Sequence, residues 1–304
     1  MSAEGRLATL PRRQAGREPQ HLLLTVLGDY WHEVPSPVPS AALVSILAEF
    51  EVSSASARAA LSRLGRRGLL VASKQGRSTS YQLAASTRDL LDEGFRRFAP
   101  RAADIGENWD GRWTVAAFSV PERERDLRHN VRKHLQWLGF APLYDGTWVA
   151  PRADIAPAAV GVLRELGVRR ASVFVATSQE GGVDGDPINA WKLDEIRGLY
   201  QSFLEEYEPL IERVRAGEVT AHDALVVRTE AMDQWRGFHS HDPEVPAALL
   251  PADWPQEPAR ELFFELCNAL GPLAVTRVRH HIASYGEQLT GTVRYRKLGG
   301  VDRG

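Results

Sequence analysis

The first third of the chain repeats apolar residues with the period of an α-helix, interrupted by short stretches rich in proline, serine or glycine. From Gln20, the segment HLLLTVLGDYW predicts a short amphipathic helix that ends at VPSPVPS. Ser40 is a favourable N-cap for a second helix, AALVSILAEF. A third helix follows residues 51–53, capped by Ser53 or Ser54. It ends at Gly68 and carries the apolar stripe Ala57, Ala60, Leu61 and Leu64.

Two runs of strand-forming residues come directly after the third helix. Residues 69–73 and 80–83 are separated by KQGRST, a glycine-containing basic segment that is typical of a hairpin tip. Helix, helix, turn, helix and hairpin is the order of a winged helix-turn-helix, which we predict over residues 20–85. Residues 1–19 are mostly polar, and we expect them to form a flexible arm.

Strands and helices alternate in the middle of the chain. A linking helix is predicted over 86–108, followed by a strand that stops at Pro121 and by a polar-faced helix. One or two short strands, a further helix and a last strand at 171–176 complete the series. This βαββαβ order predicts a ferredoxin-like middle domain over residues 109–180.

Helical periodicity dominates beyond residue 185. One long amphipathic helix is predicted around 193–207, and a second one from about 220 to 238. A proline-rich loop precedes a last helical region that begins near Ala259. We therefore predict a helical effector-binding and dimerisation domain over 185–285, and a frayed basic tail over 286–304. The predicted fold class is α+β.

The charge is distributed unevenly along the chain. The formal net charge is only −2, but residues 53–81 contain six lysines and arginines and no carboxylate. That segment therefore carries a local charge of +6, and the rest of the chain sums to −8. A compact basic segment on an acidic chain is the pattern expected where one face meets nucleic-acid phosphates. A basic surface that is merely solvated would show the same charge run.

Composition excludes several other classes of protein. No apolar stretch approaches the roughly 20 residues that cross a bilayer, and the N-terminus lacks a secretory pattern, so we expect a cytoplasmic location without membrane attachment. Cys267 is the single cysteine, which rules out an intramolecular disulfide and a multi-cysteine zinc site. No cofactor is expected.

The third helix carries the candidate DNA-reading residues. Opposite its apolar stripe, small side chains alternate with arginines, and small residues allow a close approach to base edges while arginine can hold guanine with two parallel hydrogen bonds. The candidates are Ser54, Ala55, Arg58, Ala59, Ser62, Arg63, Arg66 and Arg67 on the helix, and Lys74 and Arg77 at the hairpin tip. The alternative is that these are ordinary exposed arginines of a three-helix fold used for protein contacts.

Three separate segments resemble one known family. LLLTVLGDYW, PVPSAALVSILAEF, ASARAALSRLGRRGLL and GRSTSYQL look like the N-terminal domain of PaaX-type regulators, the repressors of phenylacetic acid degradation and their relatives. WTVAAFSVPE and LRHNVRKHLQWLGFAPLYDGTWVAP continue the resemblance, and FHSHDPEVPAALLPADWP is similar to its C-terminal pattern. Coverage is roughly residues 20–280.

The resemblance implies a transcriptional regulator, usually a repressor, that acts as a homodimer on a palindromic double-stranded DNA operator. Founding members of the family release DNA when an aryl-CoA thioester such as phenylacetyl-CoA binds. The recognition helix would be residues 54–67 and the wing residues 70–83. Glu244 and Gln256 depart from the family pattern, so the effector could be a different acyl-CoA thioester or another small molecule.

A candidate effector site lies on the predicted helix 220–238. Arg228, Trp235 and Arg236 share one helical face beside the loop residue His239, and two arginines next to an aromatic ring could hold the phosphates of a CoA thioester. The alternative is that this stripe packs between domains, with its arginines paired to carboxylates.

Catalytic and metal chemistry receive little support. The middle domain is similar to CRISPR-associated endoribonucleases, but Ser119-Val120-Pro121-Glu122 stands where those carry a metal-binding aspartate. His239, His241 and Asp242, with His280 and His281, lack the spacing of a zinc motif, and no GxSxG elbow occurs. We therefore predict an effector-responsive, DNA-binding repressor and no enzyme. The competing possibility is an enzyme or protein-interaction module that carries a winged helix unable to bind DNA.

Overall fold

A computed structural model of the chain describes residues 18–76, 78–98, 109–178, 186–238, 242 and 245–299. The architecture is α+β, with helices and two antiparallel sheets of three and four strands. The described residues divide into two compact units. One contains residues 18–98, 203–237 and 258–299, and the other contains residues from 109–202 and 238–257.

The first unit begins with three helices and a hairpin, as predicted. Its N-terminal elements are α1 (Pro19–Tyr30), β1 (Val38–Pro39), α2 (Ser40–Ala48), α3 (Ser54–Arg66), β2 (Leu70–Gln75), β3 (Ser78–Leu83) and α4 (Ala85–Phe98). The two-residue strand β1, which the sequence does not predict, pairs antiparallel with β3 and places Val38 opposite Tyr81. Strand β3 therefore lies at the centre of a sheet of order β1-β3-β2.

Two local predictions in this region are wrong. Ser40 is the first residue of α2 rather than its N-cap, and Pro39, which has no side chain able to cap, occupies that position. Helix α1 is not amphipathic, because every residue from His21 to Tyr30 is buried. Two of its buried polar side chains have distant partners: Thr25 donates to Asp233 at 3.2 Å, and Asp29 accepts from Arg228.

The C-terminal helices complete the first unit. They are α7 (Leu193–Arg215, which the division between units crosses), α8 (Ala221–Phe238), α9 (Gln256–Ala283) and α10 (Glu287–Thr290). The predicted fraying after Tyr285 is wrong for residues 286–299. Val293 is fully buried, the backbone N–H of Arg294 donates to the carbonyl of Tyr30 at 3.1 Å, and Leu298 exchanges two hydrogen bonds with Asn268.

The second unit is built on a four-stranded antiparallel sheet of order β5-β6-β4-β7. Its elements are β4 (Arg112–Ser119), α5 (Arg125–Trp137), β5 (Ala141–Tyr144), β6 (Thr147–Ala150), α6 (Ala156–Glu165) and β7 (Arg170–Thr177). The predicted βαββαβ succession is therefore present. Strand β4 is central: its residue Thr114 pairs with Ala150 on one side and with Val175 on the other.

Each face of this sheet packs against a separate apolar cluster. Helices α5 and α6 contribute buried side chains to the first, which includes Val131, Leu135, Ala159 and Leu163. The second contains Trp113 and Trp191, whose rings stack with centroids 5.9 Å apart. Among the described helices, none combines the length and apolar character that a bilayer span requires.

Several predictions fall outside the described residues. These are residues 1–17 of the predicted arm, Arg77 at the hairpin tip, residues 99–108 of the linking helix, the candidate ligands His239 and His241, the departure at Glu244, and residues 300–304 of the tail.

Candidate nucleic-acid interface

Helix α3 starts at a capped and tightly turned connection. Glu51 has a φ of 62°, in the left-handed region, and reverses the chain after α2. Ser53 is the N-cap: its hydroxyl oxygen accepts a hydrogen bond from the backbone N–H of Ser56 at 3.2 Å. This bond satisfies one of the donors that the first turn leaves open, so the start of α3 is fixed at Ser54.

One face of α3 fastens it to the rest of the unit. Ala57, Ala60, Leu61 and Leu64 are each at most 1% exposed, and α3 packs against α1 and α2. Because a helix turns by 100° per residue, these four positions share one side, and the opposite side points away from the core.

The predicted reading residues of α3 lie on that outward side. The exposed ones are Ser54, Ala55, Arg58, Ser62, Arg63, Arg66 and Arg67, and Ala59 is half-buried. Within the part of the chain that the structure describes, no carboxylate forms an ion pair with Arg58, Arg63 or Arg66. Exposed guanidinium groups without a protein counter-charge are the groups that a phosphate or a guanine edge can engage.

The hairpin next to α3 presents a further cation. Lys74 is exposed near the end of β2, where it pairs with Thr79 of β3, and Gly76 turns the chain with a φ of 61°. Leu70 and Leu83 pair at the other end of the hairpin, where both are buried. The hairpin is therefore anchored at its base and carries its polar end outward.

A partly buried carboxylate, Glu49, directly follows α2, the helix that supports α3. Glu49 accepts two hydrogen bonds from Arg277 (2.8 and 3.2 Å), one from His281 at 2.8 Å and a short one from His222. Burial by itself would raise the pKa of Glu49, but the bonds from Arg277 and His222 and the neighbouring positive charges lower that pKa to about 2. The C-terminal end of α2 is thus bound to α8 and α9.

His281 is held in one tautomer by the same cluster. Its Nδ1 lies 2.7 Å from the Ser45 hydroxyl and its Nε2 lies 2.8 Å from Glu49. A neutral ring satisfies both contacts when Nε2–H donates to the carboxylate and Nδ1 accepts from the hydroxyl. Burial, acting against the attraction of Glu49, lowers the pKa of His281 below its ordinary value of 6.5 and so favours this neutral ring.

Family models match three consecutive parts of the chain. Residues 18–87 match the model described as PaaX-like protein, residues 106–187 match the PaaX protein central Cas2-like domain, and residues 191–280 match the PaaX-like protein C-terminal domain. Together these matches cover well over half of the sequence.

The chain belongs to the PaaX family.

This PaaX-family chain is similar to one known repressor in sequence and to one solved structure in fold. It is 26% identical to Transcriptional repressor PaaX of Escherichia coli (strain K12) over 259 residues, which cover 81% of this chain and 78% of that protein. The uncharacterized protein Rv0674 from Mycobacterium tuberculosis superposes with a TM-score of 0.54 at 20% identity, over 87% of this chain and 98% of that one. The second comparison shows a shared fold.

The candidate effector residues of this PaaX-family member are packed inside the first unit. Arg228 is fully buried: its Nε and Nη2 donate to the two carboxylate oxygens of Asp29 at 2.8 and 2.7 Å, and its other bonds reach the carbonyls of Cys267 and Arg296. Burial would lower the pKa of Arg228, but Asp29 keeps it raised and the guanidinium charged. Four of its five N–H donors are committed to protein acceptors, and the side chain is fully buried, so a ligand phosphate has no access to it.

The other two described members of that set are also covered. Trp235 is 5% exposed and stacks on Phe263, with ring centroids 4.6 Å apart and planes 5° from parallel. Arg236 donates to the Thr25 hydroxyl at 2.8 Å, and burial lowers its pKa. These contacts agree with the alternative interpretation, in which the stripe packs against other elements and Arg228 pairs with a carboxylate. Sequence spacing alone could not reveal Asp29 as that partner.

Metal and thiol chemistry find no support among the described residues. No group of three or more histidine, cysteine, aspartate or glutamate side chains in the described ranges is arranged to hold a metal ion. Burial raises the pKa of the Cys267 thiol to about 12, so this side chain stays protonated and is a poor nucleophile.

Proposed function

We propose that this chain is a transcriptional repressor that binds operator DNA through the outward face of α3, as part of a winged helix-turn-helix over residues 20–85. The relative named Transcriptional repressor PaaX supports the general class. The single observation that carries the DNA-binding assignment is the exposure of Arg58, Arg63 and Arg66 on a helix whose opposite side is buried. A helix anchored in this way can enter a major groove without unfolding its support.

The two ends of α3 would make different contacts with DNA. Recognition helices usually contact bases with their N-terminal half, where Ser54, Ala55 and Arg58 lie, and the small residues there allow close approach. Arg66 and Arg67, at the C-terminal end, are better placed for phosphates, and Lys74 on the hairpin could reach the backbone or the adjacent minor groove. Arg63 lies between these groups.

Replacing Arg63 by alanine tests the assignment. We expect Arg63→Ala to weaken binding to a selected operator fragment by about tenfold or more, since a base-contacting arginine is worth ~1–3 kcal/mol. The operator comes from selection of bound fragments of the organism's own DNA, and affinity is measured by gel shift. Arg213→Ala, which removes an exposed arginine from α7, is the matched control and should bind as the unchanged protein does. If Arg63→Ala and the control bound the operator with equal affinity, α3 would not be the helix that binds DNA.

Dimerisation and effector release complete the proposal. A homodimer would place two copies of α3 on half-sites of a palindrome about 34–36 Å apart or multiples of that distance. A small molecule, possible classes including aryl- and acyl-CoA thioesters, would release DNA if it binds better to a state with another spacing. Sedimentation with and without operator tests the first point, and the gel shift repeated with phenylacetyl-CoA and other thioesters tests the second.

The second unit supports a ferredoxin-like assignment for residues 109–180. Two βαβ halves, an antiparallel sheet and a central β4 are the features that favour it. We assign this unit no catalytic role, because Ser119 and Glu122 stand where a related nuclease would carry its metal-binding aspartate at the end of the first strand.

A further inference from the structure

Helix α5 of the second unit has a strongly basic outward side. Val131 and Leu135 are fully buried against the sheet, which fixes the orientation of the helix. On the other side, five long or aromatic polar side chains follow each other at i, i+4, i+7, i+8 and i+11, namely Arg125, His129, Arg132, Lys133 and Gln136. All five are exposed. We name this set the α5 stripe.

The cations of the α5 stripe are not neutralised within the fold. Among the described residues, Arg125, Arg132 and Lys133 form no ion pair, although the exposed carboxylate Asp126 lies in the first turn of the same helix. Arg128 behaves differently: it donates to the carbonyl of Val120 at 2.9 Å and belongs to the packing of the helix start. The fold therefore uses one arginine of α5 and leaves three cations facing solvent.

An exposed tryptophan extends the stripe at its C-terminal end. Trp137 is 65% exposed and lies one helical turn after Lys133. Leaving so large an apolar ring in water is unfavourable. Cations next to an exposed aromatic ring are a combination found on nucleic-acid-binding surfaces, where the ring contacts sugar or base and the cations contact phosphate.

The dimensions of the stripe suit a DNA backbone. From Arg125 to Gln136 the helix rises by about 16 Å at 1.5 Å per residue, and each strand of a duplex presents one phosphate per about 3.4 Å of axis. Several phosphates of one strand therefore fall within reach of the stripe. Long flexible side chains on a single helix face, without small residues that would admit a base edge, favour backbone contact over sequence readout.

We propose that the α5 stripe is a second DNA-contacting surface, which binds duplex phosphates without reading sequence. This inference rests on the proposed function, because it takes duplex DNA as the partner. It adds to that function a sequence-independent part of the affinity, carried by the second unit and distinct from the contribution of α3.

The test is the salt dependence of DNA binding by the full-length chain. Each phosphate contact adds about 0.9 to the slope of the logarithm of affinity against the logarithm of salt concentration. The double variant Arg132→Ala/Lys133→Ala should therefore have a slope shallower by about 1.8. Between 50 and 200 mM salt, the unchanged protein should lose about tenfold more affinity than this variant does. Operator and unrelated duplex should be affected equally, so their affinity ratio stays the same.

A matched control removes the same two types of charge elsewhere. Arg213→Ala/Lys297→Ala deletes one exposed arginine and one exposed lysine from the first unit and should keep the original slope. Thermal unfolding should be the same for all three proteins, because the substituted side chains are exposed. A single reversal, Lys133→Glu, should weaken binding to unrelated duplex at low salt more than Lys133→Ala does.

The outcomes separate this inference from the function on which it rests. If the Arg132→Ala/Lys133→Ala protein keeps the original slope while Arg63→Ala still loses operator affinity, the α5 stripe does not touch DNA and α3 does. If the double variant lowers only operator affinity, the stripe reads sequence and the proposal is overturned. A chain that binds no duplex even at low salt overturns both.

Discussion

At the scale of single residues, Glu49, which directly follows α2, binds three side chains from two distant helices. Its carboxylate is 9% exposed and joins Arg277 and His281 of α9 and His222 of α8. Charge-assisted hydrogen bonds of this kind contribute more than neutral ones, and a partner left unpaired after a substitution loses that contribution.

We expect Glu49→Gln to lower the free energy of unfolding by about 2 kcal/mol at pH 7. The pKa of Glu49 is about 2 in the folded chain and 4.5 ordinarily, so between these values the folded state binds fewer protons than the unfolded state. The stability that ionised Glu49 contributes is therefore lost as the pH falls from 4.5 towards 2. The difference between the two proteins should therefore shrink over that window in urea unfolding. Glu165→Gln, at an exposed position of α6, is the control. A difference that does not change with pH would contradict the role given to the charge.

Another pH effect belongs to His281. Its pKa is lowered in the folded chain, so the unfolded chain binds more protons below pH 6.5 and stability declines as the pH falls from that value. This decline precedes the one that Glu49 causes.

At the scale of elements, the end of α3 depends on one glycine. Gly68 has a φ of 72° in the turn after the helix, and a Cβ there would meet no atom within 4 Å. Backbone strain is therefore the only unfavourable effect of adding a side chain at position 68. We expect Gly68→Ala to lower the free energy of unfolding by about 1 kcal/mol. Gly94→Ala, inside α4 and equally uncrowded, should raise it by roughly 0.5–1 kcal/mol. Thermal unfolding measures both, and a Gly68→Ala protein of unchanged stability would be the contrary result.

Local patterns predicted most elements because their causes are local. The stripe Ala57, Ala60, Leu61 and Leu64 and the cap Ser53 specify α3, and the predicted outward side is exposed. What local patterns could not predict depends on distant partners. Strand β1 exists through pairing with β3, and α1 buries its polar residues against α8 and the C-terminal segment. Likewise, the spacing of Arg228 and Arg236 is correct for one helix face but contains no information about what covers it.

At the scale of the whole molecule, Asp29 and Arg228 join two segments of the first unit that are far apart in sequence. They are 199 residues apart in sequence, both at most 1% exposed in their side chains, and Asp29 also accepts from the backbone N–H of Arg296 at 3.1 Å. Removing one partner leaves a charge buried without compensation, whereas removing both does not.

We expect Asp29→Ala to lower the free energy of unfolding by about 3–5 kcal/mol, and the double variant Asp29→Leu/Arg228→Met to be more stable than Asp29→Ala. Chemical unfolding followed by circular dichroism measures both. The operator affinity of Asp29→Ala should fall together with its folded fraction, since the residue itself does not contact DNA in the proposed function. If the single and double variants were equally stable, the charge pair would not be what links these helices.

The discontinuous course of the first unit has a consequence for its synthesis. Asp29 leaves the ribosome long before Arg228 and Arg296, and Glu49 leaves it long before Arg277 and His281. In a nascent or prematurely terminated chain, Asp29 of α1 and Glu49 after α2 therefore lack the partners that they have in the folded protein. Helix α3 therefore acquires its full support only after residues 277–296 have been made, and in the proposed function a chain truncated before them would compete poorly for operator DNA.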